Sequence, residues 1–240
     1  MKTLCLDFGN TRMKAAIFEN GHLTHTFVLN GDGISQIEEI VKDHQPEKSI
    51  LSSVIHHDSA INDLLQSKTS FHLLNHLTKL NFTVPVGKPE TVGADRLALS
   101  AAVVHFYPSK NNLVVGLGSC ITYNFINKYN QFLGGSISPG LEMRFRAMHE
   151  QTALLPLIEK DWNFPLVGYD TKTNLLSGVI MGMAKEIEGI VEEYEKKYSN
   201  FNVVLTGGDC TYFERLLKKK IFADPNLLYK GLYAISETNS

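Results

Sequence analysis

Apolar residues recur along this chain either at alternate positions, as in a strand, or three to four positions apart, as in a helix. The order of these two patterns is the same in both halves of the chain. In the first half they predict strands at 4–6, 13–18, 23–29, 48–54 and 71–74, and helices near 34–41, 58–65 and 97–106. In the second half they predict strands at 113–117, 121–127, 132–137 and 203–205, and helices at 141–149, 175–198 and 212–219. Each half begins with three strands joined by short turns and continues with helices and a strand. A plan that occurs twice in this way predicts a duplicated α/β architecture.

The hairpins that open the two halves are alike in sequence. The first carries Asp7-Phe8-Gly9-Asn10-Thr11 between its strands, and the second carries Gly116-Leu117-Gly118-Ser119. Each has a glycine turn with hydroxyl or amide side chains. The repeat predicts two related lobes facing each other across a cleft, residues 1–108 and 109–240, since Pro108 and two asparagines break the pattern between them. Asp7 of the first hairpin aligns with Gly116 of the second.

Composition excludes several classes of function. The chain has 240 residues, 43% hydrophobic content and a net charge of -2, as expected for a globular protein with an ample core. This charge gives no attraction to nucleic acid or to an anionic membrane, and no apolar run is long enough to span a bilayer. Three widely separated cysteines fit a reducing compartment, and the chain enters a strand directly after Met1-Lys2, without a signal peptide. We therefore expect a cytoplasmic protein that binds neither nucleic acid nor membrane.

The first hairpin turn has the chemistry of a phosphate site. Gly9 allows close approach of the backbone, and Asn10 and Thr11 offer donors to phosphate oxygens. Asp7 can hold Mg²⁺, and Lys14 can neutralise phosphate charge. The alternative from the residues alone is an ordinary hairpin in which the aspartate and asparagine only stabilise the turn.

A second cluster of candidate chemistry is Gly93-Ala94-Asp95-Arg96, before an alanine-rich helix. Asp95 can accept a hydroxyl proton while Arg96 binds a carboxylate. In the alternative reading, Asp95 caps the helix or is a first-turn acid, and Arg96 is solvated.

Two more glycine turns and a histidine pair complete the candidates. The segment 134–140 leads into a helix whose N-terminus can accept an anion, or is a tight structural turn. The turn at 206–209 can press its backbone against a flat adenine. His56-His57-Asp58 suggests a metal site, but no further histidine or cysteine cluster completes it, so we expect no metal there.

Taken in order, these motifs resemble the type III pantothenate kinases, which belong to the actin-like ATPase superfamily with the sugar kinases. The resemblance spans nearly the whole chain. It is carried by Asp7-Phe8-Gly9-Asn10-Thr11, Gly93-Ala94-Asp95-Arg96, Gly118-Ser119 through Thr122, Gly134-Gly135 with Pro139-Gly140, and Thr206-Gly207-Gly208. It implies two ribonuclease H-like lobes around a nucleotide cleft, and a homodimer. It also implies phosphorylation of pantothenate by ATP, the first committed step to coenzyme A, with Mg²⁺ and a monovalent cation, K⁺ or NH₄⁺.

The resemblance also implies roles for individual residues. The residues implied to hold ATP and its Mg²⁺ are Asp7, Phe8, Gly9, Asn10, Thr11, Arg12, Met13 and Lys14, with Asp7 as the metal ligand. Those implied to bind pantothenate are Gly93, Ala94, Asp95 and Arg96, with Asp95 as the base for its primary hydroxyl and Arg96 facing its carboxylate. Ser119 matches an ATP-contacting threonine, and Thr171 matches a threonine that contacts the substrate.

Three positions depart from the family pattern. Gly116 replaces an aspartate that binds the monovalent cation, Asn124 replaces a second aspartate, and Val86 stands where related sequences often carry a substrate-contacting tyrosine. Two alternatives to pantothenate kinase activity follow. One is a catalytically impaired nucleotide-binding regulator of the same fold, favoured by Gly116 and Asn124. The other is a related small-molecule kinase with a different acceptor.

Overall fold

The computed structural model describes residues 1–219 and 221–239, and their contacts divide the chain into two compact units. The first unit comprises Met1–Ser109, Ile126–Leu133 and the chain from Asn226 onward. The second comprises Lys110–Phe125 and Gly134–Pro225.

The strands are β1 (Lys2–Phe8), β2 (Met13–Glu19), β3 (His22–Leu29), β4 (Lys48–Ser53), β5 (Ser70–Leu73), β6 (Asn111–Leu117), β7 (Cys120–Ile126), β8 (Phe132–Pro139), β9 (Phe201–Gly207) and β10 (Phe222–Ala223). The helices are α1 (Ile34–His44), α2 (Ser59–Lys68), α3 (Ala94–Phe106), α4 (Leu141–Glu150), α5 (Thr171–Lys197), α6 (Cys210–Leu216) and α7 (Leu227–Thr238), with one 3₁₀ turn at Pro89–Thr91. Among the described residues, no helix has the combined length and apolarity needed to cross a membrane.

The sheet of the first unit has the order β3-β2-β1-β4-β5. Strands β1, β2 and β3 form the predicted antiparallel meander, and β4 and β5 extend it in parallel from β1. Alternate residues of β1 lie on opposite faces. Leu4, Leu6 and Phe8 pack in one core with buried residues of α1 and α2. The other face of β1, which carries Cys5 and Asp7, is the face on which α7 packs, as the stacking of Phe18 on Tyr233 shows.

The second sheet repeats the first. Its order read from one edge is β8-β7-β6-β9-β10, so β6 to β10 take the same places as β1 to β5. Strand β9 runs parallel to both β6 and β10. The core of this unit joins the strands to buried residues of α4, α5 and α6, among them Phe145, Ile180 and Phe213. The predicted duplication is therefore present in the strand topology.

Several elements differ from the sequence prediction, among them three helices. Helix α5 begins at Thr171, four residues early, because Asp170 forms a capping box with Thr173. Helix α6 ends at Leu216, so the chain from there to residue 219 is not helical as predicted.

Helix α7 is not predicted at all, since Gly231 interrupts its apolar pattern. It packs on α3, β1 and β4 and so belongs to the first unit. The apolar side chains of α7 are therefore buried against the first sheet and α3.

Candidate active site

Asp7 lies near the end of β1. Its side chain is on the face of the first sheet that α7 covers. Its neighbours in register are Lys14 on β2 and Ser52 on β4. Burial and the negative charge of Asp95 raise the pKa of Asp7 to about 7, and the positive charge of Lys14 opposes that rise. Asp7, Lys14 and Asp95 thus lie close enough together for their charges to interact.

The hairpin turn that follows is compact and open to solvent. The N–H of Gly9 donates to the carbonyl oxygen of Arg12 (3.1 Å), and Asn10, Thr11 and Arg12 are exposed. This turn lines a cavity of about 620 Å³ together with Val28–Asp32 and Ile55–Asp58. That volume is in the range of small-molecule sites. Phe8 differs from its neighbours, because its side chain is fully buried in the core and only its backbone faces the turn.

Asp95 is in the first turn of α3, and burial raises its pKa although the backbone N–H and the charge of Arg96 oppose the shift. The helix begins after Gly93, and a Cβ at Gly93 would lie 2.5 Å from Oδ1 of Asp95. The carboxyl group of Asp95 accepts the backbone N–H of Arg96, as the first-turn acid of α3. It also lies where a Cβ at residue 93 would stand, so a side chain at 93 would displace it.

Arg96 is stacked against an aromatic ring. Its guanidinium carbon lies 5.4 Å from the centroid of Phe132, which is buried and donates its N–H to the carbonyl oxygen of Thr83 (2.8 Å). Stacking of this kind orients the planar guanidinium and is stabilising. Arg96 is thus half-buried and in contact with an aromatic ring, with part of its side chain exposed to solvent.

Two residues near Asp7 were not predicted. The Ser52 hydroxyl is completely buried and has no hydrogen-bond partner among the described residues. Tyr229 of α7 is buried, and its pKa is raised by burial and by the nearby charge of Asp7. Neither stands in a recognisable motif. The alternation of β4 indicates the face of Ser52, but nothing in the sequence indicates that Tyr229 approaches β1.

The predicted sites of the second unit lie along β6 and β7. Gly116 is buried in β6 in register with Thr206 of β9, and Ser119 is half-buried in the turn before β7. Asn124 is fully buried, and its Nδ2 donates to the carbonyl oxygen of Val114 (3.3 Å) and to Oγ1 of Thr122 (3.1 Å). An amide at 124 therefore ties β7 to β6 where an aspartate would bring a charge.

The remaining sites occupy ends of helices. Thr171 is exposed at the first position of α5. The turn after β9 is present as predicted, and Asp209 in it pairs with Lys160 (2.6 Å).

A family model of the type III pantothenate kinases matches residues 3–193. The chain belongs to the type III pantothenate kinase family. Among its relatives, the type III pantothenate kinase of Christiangramia forsetii is 40% identical over 238 residues, which is 98% of each chain. That of Flavobacterium johnsoniae is 36% identical over 231 residues and 95% of each chain. The predicted resemblance is confirmed.

Solved structures show the same fold at low identity. A Baf family protein from Campylobacter jejuni, described as a conserved transcriptional activator, has a TM-score of 0.62 at 20% identity over 98% of both chains. An inorganic polyphosphate/ATP-glucomannokinase from Arthrobacter has a TM-score of 0.50 at 14% identity, covering 99% of this chain and 97% of that one. Together with the repeated strand order, they confirm the duplicated ribonuclease H-like fold of the actin-like ATPases.

In this chain, the first unit brings together Asp7, Lys14, Asp95 and the turn around Gly93. Ser119 and Gly116 lie in the second unit, as does Thr171. Val86 is half-buried in the irregular segment before the 3₁₀ turn.

In the histidine pair, His57 makes structural contacts. His57 is held between Oγ of Ser53 and Oδ1 of Asn62, each at 3.1 Å, with its ring edge-on to Phe8. Asp58 caps α2 by accepting the N–H of Ala60 (2.9 Å). In the part of the chain that the structure describes, no three metal-ligating side chains are grouped.

The oxygens around Asp7 fit Mg²⁺. This ion is held in kinases by one or two carboxylates with water and substrate phosphates, so it does not need a cluster of three side chains. The carboxyl group of Asp7 and the unpartnered hydroxyl of Ser52 lie on neighbouring strands in register and face the same side of the sheet.

Proposed function

We propose that the protein phosphorylates pantothenate with ATP to give 4'-phosphopantothenate, the first step of coenzyme A biosynthesis. One observation carries this proposal. The carboxyl groups of Asp7 and Asp95 lie near enough for their charges to interact, in one unit of a chain from the type III pantothenate kinase family. One carboxylate suits the metal on the phosphate, and the other suits the acceptor hydroxyl.

Asp95 is the catalytic base of the proposal. Burial raises its pKa and so brings its basicity closer to neutral pH, where a general base is most effective. It accepts the proton of the pantothenate primary hydroxyl as the oxygen attacks the γ-phosphorus of ATP in line with the leaving group. The Gly93–Ala94 turn positions this carboxylate, and the stacked guanidinium of Arg96 binds the pantothenate carboxylate.

The first hairpin holds the phosphates. The backbone of the turn from Phe8 to Met13, with Asn10, Thr11 and Arg12, offers donors to phosphate oxygens, and Lys14 adds positive charge beside Asp7. Asp7, with Ser52 beside it, would hold Mg²⁺, which would neutralise phosphate charge. Ser119 contacts ATP, and Thr171 contacts pantothenate.

Two acids of the family pattern, one of them the monovalent-cation ligand, are replaced in this chain. At the position of the family's cation ligand, Gly116 offers no side chain, and Asn124 offers an amide already bonded to β6 and to Thr122. Backbone carbonyls and water can still coordinate K⁺ or NH₄⁺. We therefore infer an active kinase with a reduced requirement for such a cation, rather than an impaired regulator.

The remaining inferences concern the state of the protein. Cys5, Cys120 and Cys210 are all free thiols, which supports a reducing, cytoplasmic setting. We infer a homodimer, from the resemblance alone.

The direct test is turnover by purified protein with ATP, Mg²⁺ and pantothenate, followed by coupled detection of ADP. We expect pantothenate-dependent ADP release, and Asp95→Asn should lower kcat by about 10² or more. Asp43→Asn is the matched control, because Asp43 is exposed on α1. An Asp95→Asn enzyme with the full rate would remove Asp95 as the base. ATP binding without turnover by the unaltered protein would favour the regulator.

A further inference from the structure

The turn between β6 and β7 is in direct backbone contact with the start of α4. The N–H of Gly140 donates to the carbonyl oxygen of Ser119 (3.1 Å). A Cβ at Gly140 would lie 2.3 Å from the carbonyl oxygen of Gly118 and 2.5 Å from that of Ser119, which is closer than such atoms approach. Whatever fixes the chain at 138–140 therefore also fixes the Gly118–Ser119 turn.

Arg144 fixes that segment. Its Nε donates to the carbonyl oxygen of Pro139 (2.9 Å), and its Nη2 donates to Oγ of Ser138 (3.0 Å). Its backbone N–H donates to the carbonyl oxygen of Gly140 (3.0 Å). Ser138, Pro139 and Gly140 are thus all hydrogen-bonded to Arg144 of α4. The side chain of Arg144 is only 21% exposed.

Glu186 of α5 connects Arg144 to the strand that leaves the turn. Its Oε2 forms an ion pair with Nη2 of Arg144, and its Oε1 accepts a hydrogen bond from the hydroxyl of Tyr123 in β7 (3.0 Å). Tyr123 is fully buried, and burial and the charge of Glu186 raise its pKa, so it stays a donor. One carboxylate therefore joins β7 to the segment packed on the turn.

We propose that Arg144 and Glu186 are positioning residues that hold the Ser119 turn in place for ATP. This rests on the proposed function, in which Ser119 contacts ATP. An isolated surface ion pair contributes little, but this one is partly buried and also binds backbone and tyrosine groups. Its loss lets the turn move, and small displacements of a binding group are costly to phosphoryl transfer.

The test uses Arg144→Ala, Glu186→Ala and the double variant in the full-length protein. We expect each single variant to raise KM for ATP about tenfold, with KM for pantothenate within about twofold of the unaltered value. The double variant should be no worse than the poorer single one, because both break the same contact. Arg144→Lys, which keeps the charge but not the fork of donors, should be intermediate and serves if Arg144→Ala does not fold.

The matched control is Lys185→Ala. Lys185 is the neighbour of Glu186 on α5 and pairs with Glu188 (2.5 Å) instead. It should leave both KM values unchanged.

Calorimetric binding of a non-hydrolysable ATP analogue gives a readout that does not need turnover. A tenfold weaker Kd in Arg144→Ala, with the control unchanged, supports the positioning role even if pantothenate proves not to be the acceptor. The inference is overturned if these variants bind the analogue as the unaltered protein does. It is also overturned if they raise both KM values equally or perturb kinetics no more than Lys185→Ala.

Discussion

Asp7 is the residue at which folding and function make opposite demands. A carboxyl group with its pKa raised to about 7 binds a proton more readily in the folded chain than in the unfolded one. Stability is therefore lost as pH rises from the ordinary aspartate pKa, near 4, to about 7. A cation and a polyphosphate at this position would reverse the preference, because both favour the ionised group.

Asp7→Asn should therefore stabilise the protein while removing its activity. In chelator and without nucleotide, we expect a gain in the free energy of unfolding of roughly 1–3 kcal/mol at pH 8, allowing for partial solvent screening. The gain should disappear near pH 4. Denaturant unfolding at both pH values measures it, with Asp43→Asn as the exposed control. A difference that does not change with pH would show that Asp7 does not carry the raised pKa.

At the scale of elements, the C-terminal helix α7 completes the face of the first sheet that carries Asp7. It supplies Leu232, which is fully buried, and Tyr229 beside Asp7. The first unit thus joins β1 to a helix more than 200 residues later in the chain.

Leu232→Ala should destabilise the protein by about 2–5 kcal/mol, since it removes buried methyl groups and leaves a cavity. The midpoint of chemical denaturation measures this. Leu77→Ala is the control, because Leu77 is 82% exposed. If both substitutions cost the same, α7 does not contribute to the core of the first unit as described.

The sequence predicts the strands and the repeated order well because strand alternation and glycine turns are local signals. The Asp7 turn and the Gly93–Arg96 cluster can be recognised in the sequence for the same reason.

Contacts between distant segments cannot be recognised in this way. The stacking of Arg96 on Phe132, the approach of Tyr229 to Asp7 and the bonds of Arg144 to Glu186 each join residues at least 36 positions apart, as their numbers show. No pattern in a single sequence encodes such pairs.

At the scale of the whole molecule, the two sheets have the same topology but differ in their acidic residues at corresponding positions. Asp7 in β1 has Gly116 as its counterpart in β6, and Asn124 provides hydrogen bonds in place of charge. The two sheets therefore differ in charge at these positions and not in strand order.

The unaltered enzyme should work at nearly the same rate in K⁺ and in Na⁺. Gly116→Asp should create a preference for K⁺ on the order of tenfold, because a carboxylate would then ligate the ion. Steady-state rates at constant ionic strength measure this. Asn124→Asp serves as the second variant if an acid buried in β6 unfolds the chain. A strong K⁺ requirement of the unaltered enzyme would contradict this prediction.

The proposed function is decided by the identity of the product. Incubation of the unaltered protein with ATP, Mg²⁺ and pantothenate, followed by mass spectrometry, identifies it. We expect 4'-phosphopantothenate in amounts equal to the ADP formed. ADP without that product, or nucleotide binding without any phosphorylated pantothenate, would contradict it.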